Sequence, residues 1–133
     1  MAFGVATVIT TIGKAMFADR LRGTPGTYSN PPKYIGIGVG ATGAARTAAV
    51  GDTALSSAVE SRVSGTESTV TTSTTNDTYQ TVGTVTATGS RAVDEAGCFD
   101  ASTSGNMFLS ATFNVVNLVS GDSLQLTCKA QVT

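Results

Sequence analysis

Few side chains in this sequence are of the types that do chemistry, and their spacing decides what they are able to do. Gly38-Val39-Gly40-Ala41-Thr42-Gly43 matches the G-x-G-x-x-G pattern of dinucleotide-binding loops, directly after a run that reads as a strand. Glu60 follows at about the distance of a ribose-binding acid. That chemistry needs a helix opening inside the loop, to set its amides against a pyrophosphate, and a second, parallel strand. Ala44 to Val50 is Ala-rich but has no apolar stripe, Gly51-Asp52 interrupts it, and the chain beyond is β-type throughout. The glycines are therefore expected to be structural, and no cofactor is expected.

The remaining reactive types are sparse. There is no histidine, which rules out Ser-His and Cys-His nucleophile pairs. The two cysteines, Cys98 and Cys128, do not stand at metal-ligand spacing. Both fall inside strand-like runs and are expected as free, buried thiols; a bridge between them requires neighbouring strands. Asp94 and Glu95 are adjacent on a strand, so they point to opposite faces and cannot share a proton. The other acids stand singly beside Gly, Asn or Ser, as turn and cap residues do. No metal site and no enzyme are expected.

The elements that hold these residues are clearest at the C-terminal end. Leu124, Leu126, Cys128, Ala130 and Val132 alternate with Gln125, Thr127, Lys129, Gln131 and Thr133, which predicts a strand with one buried and one wet face. Met107, Leu109, Ala111, Phe113 and Val115 repeat the pattern, and Gly121-Asp122 supplies a turn between the two runs. A third strand, Ala92 to Phe99, joins the Met107 run through a polar loop from Asp100 to Gly105. Three consecutive antiparallel strands with one apolar face need a second layer. The fold expected is mainly β: an antiparallel β-sandwich of seven or eight strands, in one domain spanning 1–133, with one short N-terminal helix.

Upstream, Phe3, Val5, Val8 and Ile9 sit among small residues in an extended segment over 1–11. It lacks a basic n-region and a cleavage site, so no signal peptide is expected. Thr10 or Thr11 is the N-cap of a helix over Ile12 to Arg22, with Gly23 as its stop. Ile12 with Met16 and Phe17 with Leu21, each pair four apart, form one apolar stripe to pack on a sheet. A proline-rich loop precedes Ile35, Ile37 and Val39, which alternate with Gly36, Gly38 and Gly40; the glycine face admits another backbone or a large side chain. Asp52 is expected to cap a helical turn over Thr53 to Ala58. Between Ser64 and Thr88 there are eleven threonines in 25 residues, which favours strands with a hydroxyl-bearing wet face. Asn76-Asp77 is the natural turn there, and Gly83 the natural bulge.

Charge narrows the partners. Only 13% of residues are charged and the net charge is −1, yet Lys14, Arg20, Arg22 and Lys33 leave the first 33 residues net positive. This asymmetry orients docking but falls far short of a nucleic-acid footprint. No run of apolar residues is long enough for a membrane span. Neither nucleic acid nor membrane is expected as a partner.

Several segments in order carry a resemblance: Thr11-Ile12-Gly13-Lys14 opening a helix, Pro32-Lys33-Tyr34-Ile35-Gly36-Ile37-Gly38, and Gly51-Asp52-Thr53-Ala54-Leu55. Glu95-Ala96-Gly97-Cys98-Phe99-Asp100, Ala111-Thr112-Phe113 and Gly121-Asp122-Ser123-Leu124-Gln125-Leu126 follow. The chain in this respect resembles small virion structural proteins of tailed bacteriophages, which are head decoration (cement) proteins or tail and fibre components. It departs from them at Cys98, usually Leu, and Cys128, often Trp, which keeps the positions apolar but leaves a smaller core. The resemblance implies a virion part assembled in the bacterial host cytoplasm. Capsid decoration is favoured over a tail or tail-fibre component with a receptor- or glycan-binding surface, because no heptads or collagen-like repeats are present to build a stalk. The implied partner is the major capsid protein, or tail proteins in the alternative, contacted by a homo-oligomer, a trimer at three-fold positions. The expected interface residues are Phe3, Val5, Val8, Ile9, Lys14, Arg20, Arg22 and Lys33.

Overall fold

The computed structural model describes residues 5–24, 26–40 and 47–133. Its elements are β1 (Val5–Ile9), α1 (Thr11–Arg20), β2 (Tyr34–Gly38), β3 (Ala58–Ser64), β4 (Thr66–Val70), β5 (Thr78–Thr86), β6 (Arg91–Phe99), β7 (Met107–Leu118) and β8 (Ser123–Gln131). Five strands form one sheet in the order β1-β7-β6-β2-β3, and three form a second in the order β4-β5-β8. Every pairing among the described residues is antiparallel. The protein is mainly β, 49% strand, an open sandwich with one short helix. Between the sheets lie Ile35, Ile37, Cys98, Leu109, Val85 and Val93, all buried.

The Asp100–Gly105 hairpin forms as expected: Asn106 N donates to Asp100 Oδ1 at 2.7 Å, and Gly105 takes a φ of +71°. The turn before β8 forms as well, with Asp122 Oδ2 accepting from Val119 N at 2.9 Å. It does not return β8 to its own sheet, however. β8 crosses to the second layer and pairs along its whole length with β5, so the last three strands do not form one sheet. Both faces of early β7 are needed: Leu109 and Ala111 face the sandwich core, while Ser110 and Thr112 bond to Asp52 and Ala48 of the loop that covers the outer face.

Alternation along β7 breaks where β6 and β7 slip register between Val93 and Glu95. The irregularity shifts phase, so Val116 and Leu118 turn inward and Val115, expected on the apolar face, is 38% exposed. Gly83, by contrast, sits in regular register opposite Leu126, with no bulge. A Cβ there would stand 3.0 Å from Ile35 Cδ1 and 3.2 Å from Val63 Cγ2, so the glycine makes room for side chains of the facing sheet. Thr53 to Ala58 forms no helical turn; Asp52 instead closes a turn with Ala49, accepting from its amide at 3.0 Å.

α1 begins one residue earlier and ends two earlier than expected. Thr10 is its N-cap, with Oγ1 accepting from Gly13 N at 2.9 Å. Its apolar stripe is split. Ile12 and Met16 pack into the core, while Phe17 and Leu21 remain 45% and 74% exposed, because the sheet reaches only one side of so short a helix.

The Asn76-Asp77 turn is held by one carboxylate. Asp77 accepts from the backbone amides of Thr72, Ser73 and Thr74 at 2.8–2.9 Å and from Gln131 Nε2 at 2.9 Å, and Asn76 has a φ of +59°. These bonds, that from Thr74 foremost, hold the Asp77 carboxyl well below its ordinary 3.8. Tyr28 N does the same for Asp19, and Thr88 N for Glu60. A carboxylate depressed in the folded state adds stability above its unfolded pKa and loses it as pH falls through the folded value. The urea midpoint is therefore expected to be flat from about pH 5 to 7 and to drop below about pH 4, less steeply in Asp77→Asn.

Candidate docking surface

The glycine run ends β2 rather than opening a nucleotide loop. β2 lies between two antiparallel neighbours, so the parallel strand that a dinucleotide fold requires is missing here. The expected approach to the glycine face is realised: the Glu95 carboxylate lies where a Cβ of Gly38 would be, and Leu55 Cδ1 lies 3.4 Å from that of Gly36. Glu95 also accepts from Ser57 N at 3.0 Å. Glu60 is spent on structure, accepting from Thr88 N at 3.0 Å and pairing with Arg91 Nε at 2.9 Å. Residues 41–46 of the motif region lie outside the described residues. Among the described residues no three His, Cys, Asp or Glu side chains gather.

Cys98 and Cys128 are free and buried, on β6 and β8 of opposite sheets, facing each other across the core rather than side by side in one sheet. Cys98 Sγ donates to the Pro32 carbonyl at 2.8 Å. Its contact with Cys128 and its burial push the Cys98 thiol up, so it stays protonated and unreactive.

What the fold does build is an apolar cavity of about 550 Å³ beside α1. Met16, Phe17, Phe108 and Val132 contribute its apolar wall, and Lys14 and Arg20 stand on its rim. The walls come from α1, from Ile9 of β1 and Phe108 of β7, from the Pro31-Pro32 loop, and from the end of the β5–β8 pair. Tyr79 meets Phe108 edge-on, centroids 6.1 Å apart, and donates its hydroxyl to the Pro32 carbonyl at 2.9 Å. Burial pushes the Tyr79 phenol up, keeping it a neutral donor that ties the proline loop to β5.

Of the expected interface residues, Ile9, Lys14 and Arg20 meet at this cavity. Arg20 Nη2 donates to Ser29 O at 2.6 Å, whereas the Lys14 ammonium makes no ion pair or hydrogen bond with the described residues. Arg22 is turned back onto Asp19 at 2.9 Å. Lys33 places its ammonium 5.9 Å from the Tyr34 ring centre, away from the cavity lining. Val8 is half-buried on β1. Phe3 lies outside the described residues, as does the side chain of Val5. Over 5–9 the extended N-terminal segment is β1, the edge strand of its own sheet, Val5 opposite Phe113 and Ile9 opposite Leu109.

Sequence reading missed Phe108, Tyr79 and Val132 as lining residues, because they converge from strands that only the tertiary fold brings together. The signal within reach was the second half of the helix stripe: Phe17 and Leu21 lie about 140° away from the Ile12–Met16 side, too far round for a single sheet to cover both.

Compared with known protein families, curated proteins and solved structures, the chain matches none of them. What this surface binds follows from its own shape and charge.

Proposed function

We propose that the protein is a structural subunit of a bacteriophage virion: a capsid decoration (cement) protein that binds the head shell as a homo-oligomer, a trimer at three-fold positions, and stiffens it. The observation that carries the docking part is the cavity beside α1, apolar inside, with Lys14 and Arg20 at its mouth and Phe17 and Leu21 exposed next to it. Apolar surface left open in this way marks an interaction site. Its two cations select an apolar segment of the shell protein that also carries carboxylates. The virion part rests on the resemblance to tailed-phage structural proteins, and a low-charge β-domain suits close packing in an array.

The test is to locate the protein on intact particles and to ask which residues hold it there. Density on the head supports decoration; density on the tail transfers the protein to the tail-component reading; absence from both overturns the proposal. The double variant Lys14→Glu/Arg20→Glu is expected to melt within about 3 °C of the parent. Its occupancy on stripped heads is expected to fall at least about tenfold, the loss of one well-placed interfacial ion pair. Unchanged occupancy removes this cavity from the interface.

A further inference from the structure

The two sheets are of unequal width, and the difference is all at one end. At the other end the chain runs from β3 through Gly65 straight into β4, so a single bent strand closes the sandwich. At the open end, among the described residues, β8 is the edge strand of the narrow sheet and β1 that of the wide one. Cys128 of β8 lies against Cys98 of β6. β7 and β1 therefore extend past it, an overhang of two strands or about 10 Å.

Under the overhang runs a groove of about 750 Å³. Its roof is Leu109, Ala111 and Phe113 of β7 with Thr7 of β1, and its other wall is β8. Six consecutive β8 residues, Leu124 to Lys129, line it. A strand seen from its face shows only alternate residues, so the groove runs along the backbone edge itself. Val132 N donates to Asp77 O at 2.9 Å at the end of the β5–β8 ladder. By antiparallel alternation, the amides and carbonyls of Gln125, Thr127 and Lys129 then point away from β5, into the seam.

An open edge beside an apolar roof is the geometry of strand addition, in which main-chain bonds give affinity and alternate side chains give specificity. A second copy does not fit by pairing β8 with β8. Such a pair is related by a two-fold perpendicular to the sheet, which would drive the overhanging β7 and β1 of both copies into the same space. The slot takes a lone extended segment. Among the described residues Lys129 is exposed, makes no ion pair and is the one charged residue lining it. We propose that this seam is a strand-acceptor site for an extended segment of a partner protein, apolar at alternate positions and carrying a carboxylate beside Lys129. The site is separate from the cavity beside α1 and does not depend on the particle reading.

The probe is a capped peptide of about nine residues, alternating Thr and Val with Glu at the central polar position. Binding to the full chain is expected with a dissociation constant on the order of 10–100 μM. Amide exchange at Gln125, Thr127 and Lys129 is expected to slow about tenfold or more on binding. N-methylation of one alternate set of peptide amides is expected to abolish binding and of the other set to be tolerated, a contrast that leaves the protein untouched. Thr127→Pro, which removes an amide that does not bond β5, is expected to abolish binding. Lys129→Glu is expected to reverse the preference between the Glu peptide and its Lys counterpart. No binding at about 1 mM, equal binding of both N-methylated peptides, or protection confined to other residues overturns the proposal. Self-association of the protein that Thr127→Pro removes overturns it too, in favour of a second copy.

Discussion

Gly13→Ala is expected to lower the melting temperature on the order of 10 °C, and Gly13→Val to leave α1 undocked. Gly13 is buried on the first turn of the helix, pressed against β7. A Cβ added there would overlap the carbonyl oxygen of Phe108 and stand 3.0 Å from Ile9 Cγ2. The obstacle is backbone at the start of β7, which cannot swing aside as a side chain end would. Relief requires the helix to lift, and lifting it breaks the two bonds that Thr10 makes at once, to Gly13 N below and to the Met107 carbonyl across the gap. About 2–3 kcal/mol is expected for Ala, the upper range for overpacking in a filled site. Gly51→Ala, whose Cβ meets nothing within 4 Å, is the matched control and is expected to melt with the parent. Thermal unfolding of the three proteins checks this; equal melting of Gly13→Ala and Gly51→Ala contradicts the close docking of α1.

Phe99→Ala is expected to cost about 3–5 kcal/mol, the range for emptying a buried aromatic site. Phe99 is buried at the end of β6, opposite Met107 and Tyr34. Its ring packs over Gly36 and Gly97, whose missing side chains make the space it fills. The Arg62 guanidinium lies on the ring, 3.4 Å from the centroid, and donates to the carbonyls of Ala101 and Ser104 in the β6–β7 hairpin loop. Removing the ring thus opens a cavity and also takes away the surface on which a cation rests. Phe99→Leu separates the two effects: most of the volume stays, the π face goes, and about 1 kcal/mol is expected. Denaturant unfolding of both variants distinguishes them. Equal losses for Ala and Leu mean that the ring face, not the volume, dominates.

The elements were legible wherever one rule governed a stretch. Period-two alternation placed β8 and early β7, and the Thr10 cap with Gly23 beyond it bracketed α1. Asp77 and Gly121 marked their turns through their chemistry. What stayed hidden was decided between segments. Nothing local in Ser123–Gln131 says that it pairs with β5 in the second sheet rather than with β7 beside it in sequence. The phase change in β7 comes from a slip against β6, so Val115 read alone follows its neighbours inward. Gly83 carries the same residue type as a bulge, and only the arrival of Ile35 and Val63 reveals why it is there. At the candidate site, the cations Lys14 and Arg20 were readable as charge near an apolar segment. The pocket between them was not, because its wall joins Tyr79 of β5, Phe108 of β7 and Val132 just past β8.

The pairing of β1 with β7 has a consequence in time. Val5 and Ile9 find their partners at Phe113 and Leu109, far along the chain, so β1 has nothing to pair with until β7 is brought to it. α1 waits with it, since the surface against which Gly13 packs is the β7 backbone. A helix of ten residues does not hold itself together in water meanwhile. Folding of this chain is therefore complete only once β1 and α1 reach β7. Its rate is set by closing the longest loop in the molecule, in the millisecond-to-second range of β-proteins whose contacts are mostly non-local.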